Sequence, residues 1–175
     1  MSYSSVDEAI LQLKRGDKEA LEVIYKMYKA PLYQFIFRYT NNEQLSIDLV
    51  QDTFEKLQRK YHQFDPEKGQ FKTYLYQIAY NTMMTRLRRQ SLFRTLLPLL
   101  AERYPHHENS DEKITVQTAI QSLPEDLRAI VLLTYYHDLT QKEISTILHI
   151  PVGTVKSKLH RALKKLKVEL EVNED

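Results

Sequence analysis

The sequence predicts an all-α protein: two small helical domains joined by a linker, the C-terminal one a helix-turn-helix. Three observations predict it. Apolar residues recur at helical spacing along most of the chain, and no segment alternates at the strand period. The chain holds only three Gly and no Cys in 175 residues, which excludes disulfides and a Gly-rich phosphate loop and leaves a helical protein. Between about residues 91 and 111 the periodicity lapses into Leu-Leu-Pro-Leu-Leu, Pro-His-His and Asn-Ser-Asp, which reads as a linker. The domains are accordingly placed at 1–90 and 112–175.

Gly16-Asp17 ends a short first helix, and Asp17 can cap the second. That helix carries Ala20, Leu21, Ile24, Tyr28, Leu32, Phe35 and Ile36 to about Tyr39, with Pro31 expected to kink or interrupt it. Asn41-Asn42 makes a turn. A third helix lines up Leu45, Leu49, Val50, Phe54 and Leu57 on one face. The Pro and Gly of Phe64–Gly69 mark a loop, and a long helix follows from Phe71 to about Gln90. In the C-terminal domain, Ser122-Leu123-Pro124-Glu125 reads as a capping box with Pro at the first helical position. The helix after it buries Leu127, Ile130, Val131 and Tyr135. Thr140–Glu143 is a second capping box, opening a short helix to about Leu148. A turn at His149-Ile150-Pro151 leads into the long last helix.

Composition narrows the chemistry. There is no run of eighteen apolar residues and no cationic-then-apolar N-terminus, so neither a membrane span nor a secretory signal is expected, and the protein is expected in the cytoplasm. Thiolate metal sites and cysteine nucleophiles are excluded, as is a Gly-rich phosphate loop. His106-His107 lacks companion ligands, and the acidic and His residues show no paired spacing. No catalytic residue, metal or cofactor is therefore expected. The net charge is +2, yet Lys156 to Lys167 holds six cations and no carboxylate, and Arg86, Arg88, Arg89 and Arg94 form a second cluster. Concentrated charge in a near-neutral chain points to polyanion contact at two places.

The last helix separates its faces. Val152, Val155, Leu159, Ala162, Leu163 and Leu166 fall within an arc of about 100°. Thr154, Ser157, Arg161 and Lys164 lie opposite, with Lys158 and Lys165 at the flank. A short capped helix, a turn and this helix make the DNA-binding bihelical motif. Thr154, Ser157, Lys158 and Arg161 are candidate base readers. Lys164, Lys165 and Lys167 suit sequence-independent contact with phosphates, and Lys156 is a further DNA-facing cation on the same helix. His149 stands where a positive backbone angle is needed, and His tolerates that better than most residues. On the long N-terminal helix, Tyr74, Gln77, Asn81, Thr85 and Arg88 share one face beside a mostly apolar one of Leu75, Ile78, Ala79, Thr82 and Met83. Aromatic, amide and guanidinium groups in a line suit unpaired bases and phosphates.

Three segments carry a resemblance: Leu49-Val50-Gln51-Asp52-Thr53-Phe54, Phe71 to Asn81, and Val152 to Ala162. In this order they resemble bacterial RNA polymerase sigma factors, and more narrowly the two-domain extracytoplasmic-function group. The resemblance covers roughly residues 5–90 and 112–170. It implies a transcription initiation factor whose N-terminal domain binds the polymerase core and the minus-ten element, and whose helix-turn-helix binds the minus-thirty-five element. By motif, Asp48, Leu49, Val50, Gln51, Asp52, Phe54 and Glu55 would dock on the clamp of the largest polymerase subunit. Leu49, Val50 and Phe54 are partly core, so the polar four are the stronger contacts. The loop from Phe64 and Asp65 to Gln70 would capture a flipped promoter base, beside Tyr74, Gln77 and Asn81, with Arg86, Arg88 and Arg89 as the basic end. The chain departs from the family pattern in carrying Tyr74 for Trp, Thr85 for Asp, Ser145 for Ala, His149 for Gly and Lys158 for Arg. The resemblance also implies an anti-sigma partner, which could hold the protein at the membrane without insertion of its own. The alternative is a helix-turn-helix regulator that binds duplex operators without polymerase; it leaves the segment 48–55 unexplained.

Overall fold

The computed structural model describes residues 6–96 and 115–171. Eight α-helices are found there: α1 (Val6–Lys14), α2 (Lys18–Thr40), α3 (Glu43–Lys60), α4 (Phe71–Leu96), α5 (Val116–Ser122), α6 (Glu125–Tyr135), α7 (Gln141–Leu148) and α8 (Val152–Glu171). No strand forms among the described residues.

Local chemistry sets the boundaries. The Asp17 carboxylate accepts the Glu19 N–H at 2.9 Å and starts α2. Asn41 ends it in the left-handed region at φ 51°, and the Asn42 side chain caps α3 through the Leu45 N–H at 2.9 Å. A 3₁₀ turn at Tyr61–Gln63 leads into the loop before α4.

Four expectations are corrected. Pro31 does not interrupt α2, because Ile24 on one side and Leu32, Phe35 and Ile36 on the other are anchored in the core. Helix α4 runs past Gln90 to Leu96, since no Pro or Gly intervenes and Thr95 bonds back to the Ser91 carbonyl at 3.0 Å. Ser122 does not cap α6. It belongs to the last turn of α5, a helix not anticipated, and its hydroxyl donates to the Ala119 carbonyl at 2.7 Å; Pro124 precedes α6 in extended conformation. Tyr135 is exposed rather than buried. The apolar run Leu97–Leu100 and His106-His107 lie outside the described residues.

In the N-terminal unit α2, α3 and α4 pack around Leu32, Phe35, Ile36, Leu49, Leu57, Leu75 and Met83, with α1 closing one end over Ala9, Ile10 and Leu13. In the C-terminal unit α6, α7 and α8 bury Leu127, Ile130, Leu133, Ile144, Ile147, Val155 and Ala162. Such burial is worth roughly 1.5–3 kcal/mol per large side chain and holds the last helix at its angle to α7. The units also pack on each other, α4 against α7 and α2 against α5 and α6. Sequence periodicity gave no sign of this seam.

Candidate nucleic-acid and polymerase interface

The helix-turn-helix is built by α7 and α8. Thr140 and Glu143 form the expected capping box: the Thr140 N–H donates to the Glu143 carboxylate at 2.8 Å, and the Glu143 N–H to the Thr140 hydroxyl at 3.3 Å. Burial pushes the Glu143 carboxyl up, but the Thr140 bonds, the Thr73 hydroxyl and Lys72 leave it below its usual range. His149 takes the left-handed conformation at φ 55°. Ser145 explains its own presence in place of a smaller residue, since its hydroxyl donates to the Ile150 carbonyl at 2.6 Å and fixes the turn.

That turn sets α8 with Val155 and Ala162 buried and Leu159 and Leu166 half-buried. Val152 and Leu163, from the same apolar arc, remain largely exposed. Lys156, Ser157, Arg161, Lys164 and Lys165 are exposed and Thr154 is half-buried. Lys158 differs: its ammonium donates to the Asp126 carboxylate of α6 at 2.5 Å, which holds that carboxyl below its usual range.

In the N-terminal unit, Phe64 belongs to the core. It is 6% exposed, and its ring meets Phe71 edge-on at 5.4 Å and Tyr74 at 5.5 Å. Asp65 accepts the Glu67 N–H at 3.1 Å and pairs with Lys68 at 3.3 Å, contacts that hold its carboxyl below the usual range. Tyr74 is tied rather than free: its hydroxyl donates to the Lys60 carbonyl at 2.8 Å and fastens the start of α4 to the end of α3. Asn81, Arg86, Arg88 and Arg89 are exposed, while Leu75, Ile78, Ala79, Thr82 and Met83 are buried as expected. Gln77 turns to the other unit, donating to the Thr146 carbonyl at 3.0 Å.

On α3, Gln51 and Glu55 are exposed and joined at 3.2 Å; Asp48 and Asp52 are half-buried, Asp48 accepting from Gln44 at 3.0 Å. Leu49, Val50 and Phe54 are buried, Phe54 edge-on to Tyr25 at 4.8 Å. Sequence reasoning missed Ile47, 46% exposed on the same helix. With Leu21, Tyr25, Tyr33, Val50 and Phe54 it lines an apolar groove between α2 and α3, beside Gln51 and Glu55. Only the break of one apolar residue from the buried stripe could have indicated it. Among the described residues no three His, Asp or Glu side chains gather as a metal site, and no helix is long and apolar enough to cross a membrane.

Known proteins with this arrangement are informative. The family model for sigma-70 region 2 matches residues 24–93, and that for sigma-70 region 4 matches residues 113–166. The ECF RNA polymerase sigma factor SigW of Bacillus subtilis is 29% identical over 94% of this chain and 96% of its own. The RNA polymerase sigma-H factor of Pseudomonas aeruginosa is 30% identical over 89% of this chain and 88% of its own. Among solved structures, the sigma factor RpoE in complex with the anti-sigma factor NepR from Bartonella quintana shares the fold, with a TM-score of 0.71, 22% identity and coverage of 87% of this chain and 97% of that one. Region 2 thus falls on the groove and the Arg-ended helix, and region 4 on the capped helix pair: the chain belongs to the extracytoplasmic-function group of sigma-70 factors and directs RNA polymerase to promoters.

Proposed function

We propose a division of that work among named residues. Asp48, Gln51, Asp52 and Glu55, together with the groove edged by Ile47, receive the polymerase clamp, while Leu49, Val50 and Phe54 hold α3 in place from the core side. Asn81, Arg86, Arg88 and Arg89 meet the separated minus-ten strand, with Asp65 at the loop and Gln77 and Tyr74 at the start of the helix. Tyr74 acts partly by fixing the loop, Phe64 wholly so. Thr154, Lys156, Ser157 and Arg161 read the minus-thirty-five duplex, and Lys164 and Lys165 supply salt-sensitive attraction. Lys158 joins them only when Asp126 releases it. The protein carries no catalytic step of its own and works in the cytoplasm with the polymerase. An anti-sigma factor is its regulator, by analogy with the complex in which RpoE was solved.

The observation that carries this reading is the exposed row Lys156, Ser157, Arg161, Lys164 and Lys165 on a helix seated by buried Val155 and Ala162. Its test is run-off transcription by bacterial core polymerase on genomic fragments. New start sites should appear with the protein and vanish when Gln51, Asp52 and Glu55 become Ala. They should move or weaken, with polymerase binding kept, when Ser157 and Arg161 become Ala. Binding of duplex DNA by the protein alone, with no new start sites, would instead favour the operator-binding regulator.

A further inference from the structure

Helix α4 outruns the body of its unit. Its last buried side chains are Thr82 and Met83, and from Arg88 to Thr95 every side chain but that of Gln90 is exposed. The helix contains no Asp or Glu over its whole length, while Arg86, Arg88, Arg89 and Arg94 crowd this projecting end. Arg86, Arg88 and Arg89 make no ion pair among the described residues.

Leu92 sits among these cations and is 60% exposed. A lone exposed Leu means little on a protein surface, but the register of this one is informative. At about 100° per residue, Tyr74, Asn81, Thr85, Arg88 and Leu92 fall within an arc of about 60°. The promoter-facing line of α4 therefore continues one turn past Arg88 and ends on an apolar side chain. Phe93, 53% exposed, lies about 100° round from it, in line with the buried Leu75 and Thr82.

The direction of the helix determines what Leu92 meets. The loop Phe64–Gln70 and Tyr74 stand at the head of α4, where the separated strand is held. From its other end the chain runs on to the unit that holds the minus-thirty-five element. The end of α4 thus points upstream, towards DNA that is still paired. Asn81 and Leu92 are 11 positions apart, about 16 Å of helix, or at most about five base pairs of duplex. Guanidinium groups suit the phosphates that flank a groove, whereas Leu has nothing to offer a phosphate or a polar base edge. Its partner in the major groove is the C5-methyl group of thymine.

We propose that Leu92 is a specificity-determining residue. It reads a thymine methyl in the paired DNA just upstream of the minus-ten element, while Arg88 and Arg89 hold the phosphates beside it. The positive charge of this helix end and its continuity with the Asn81 face make promoter duplex its occupant. The proposal rests on the assignment of α4 to the minus-ten strand made above.

The test uses the full chain with bacterial core polymerase on a promoter located by run-off. Each pair in the window upstream of the minus-ten element is made T·A or A·T in turn. The thymine is then replaced by deoxyuridine, which lacks only the methyl, and the two templates compete in one reaction. At one position the wild type should favour thymine about four-fold, the worth of one buried methyl-sized group. Leu92→Ala, a surface change that suits a helix, should erase this preference, and Phe93→Ala should keep it. No preference at any position overturns the proposal, and so does a preference that survives Leu92→Ala. Initiation lowered equally on both templates by Leu92→Ala would assign the residue to the polymerase and overturn it too. If the wild type starts nowhere, or Asn81→Ala changes no start, the assignment of α4 falls and Leu92 with it. If Asn81→Ala weakens initiation while thymine and deoxyuridine stay equal, only the Leu92 proposal falls.

Discussion

Tyr76 and His137, 61 positions apart, share a hydrogen bond of 2.8 Å in the seam between the two units. His137 is 5% exposed, with Phe35 edge-on at 5.6 Å, Lys72 on its carbonyl and Arg38 close by. Burial disfavours a charged ring, so the imidazole there is neutral and shares one proton with the Tyr76 hydroxyl across this bond. Burial, then Lys72 and Arg38, push its pKa down to about 4, against a slight opposite pull from Asp138.

The folded value lies below the unfolded value of 6.5, so the unfolded chain binds the extra proton between them. His137 therefore contributes fully above pH 6.5, and its contribution is lost as pH falls towards 4. At about 1.4 kcal/mol per unit, the loss approaches about 3 kcal/mol. Urea unfolding of the wild type and His137→Phe at pH 7.5 and 4.5 measures it. The wild type should lose about 2–3 kcal/mol more than the variant across that range. Parallel losses would show that the ring is not buried neutral.

The capping box at the head of α7 offers a local test. Thr140→Ala removes the hydroxyl that accepts the Glu143 N–H and also donates to its carboxylate at 2.7 Å. A lost cap costs about 1 kcal/mol. Thr140→Ser should cost almost nothing, because the hydroxyl is retained. A denaturation midpoint for Thr140→Ala equal to that of the Ser variant would mean that α7 does not depend on this cap.

His149 at φ 55° sits where side chains are disfavoured by about 1–2 kcal/mol, and the entropy of an added Gly returns about half of that. His149→Gly should therefore raise stability by about 0.5–1 kcal/mol, and His149→Val should lower it by more, since a branched Cβ is worse in this region. Thermal melts of the three chains decide the order. A Gly variant less stable than the wild type would assign real weight to the 3.4 Å contact between His149 Nε2 and the Gln77 amide.

Local chemistry was legible in the sequence and long-range chemistry was not. Asp17, Thr140 and the His149 turn each act within a few residues, so spacing alone announces them. The apolar stripe of α4 was equally readable, because Leu75, Ile78, Ala79 and Met83 follow the helical period. Ser122 misled because its pattern fits a cap, while its hydroxyl was already used by the Ala119 carbonyl of a preceding helix too short to show a period. Phe64 was read as a loop residue available to a base, yet a loop aromatic flanked by Phe71 and Tyr74 gains more by burial. The seam left no periodic trace at all. Its participants, Lys72, Tyr76, Gln77 and His137, meet only because the two units pack together in one continuous buried cluster.

The Lys158–Asp126 pair shows how a residue can match a motif and still be withheld. Its position on α8 is the one expected of a base reader, but its side chain is 23% exposed and its ammonium reaches the α6 carboxylate at 2.5 Å. A cation already neutralised by a protein carboxylate releases no counterion from DNA. In the wild type, Lys158→Met should thus leave the salt dependence of minus-thirty-five duplex binding unchanged. In an Asp126→Asn background the same substitution should flatten the slope of log K against log salt by about 0.9, the value for one phosphate contact. Asp126→Asn alone should tighten binding, since it frees a cation and removes an anion whose field also reaches Arg161. Fluorescence anisotropy of the four chains over a salt series completes the cycle. Flattening of the slope by Lys158→Met while Asp126 is intact would show that DNA outcompetes the carboxylate, and would return Lys158 to the row of reading residues.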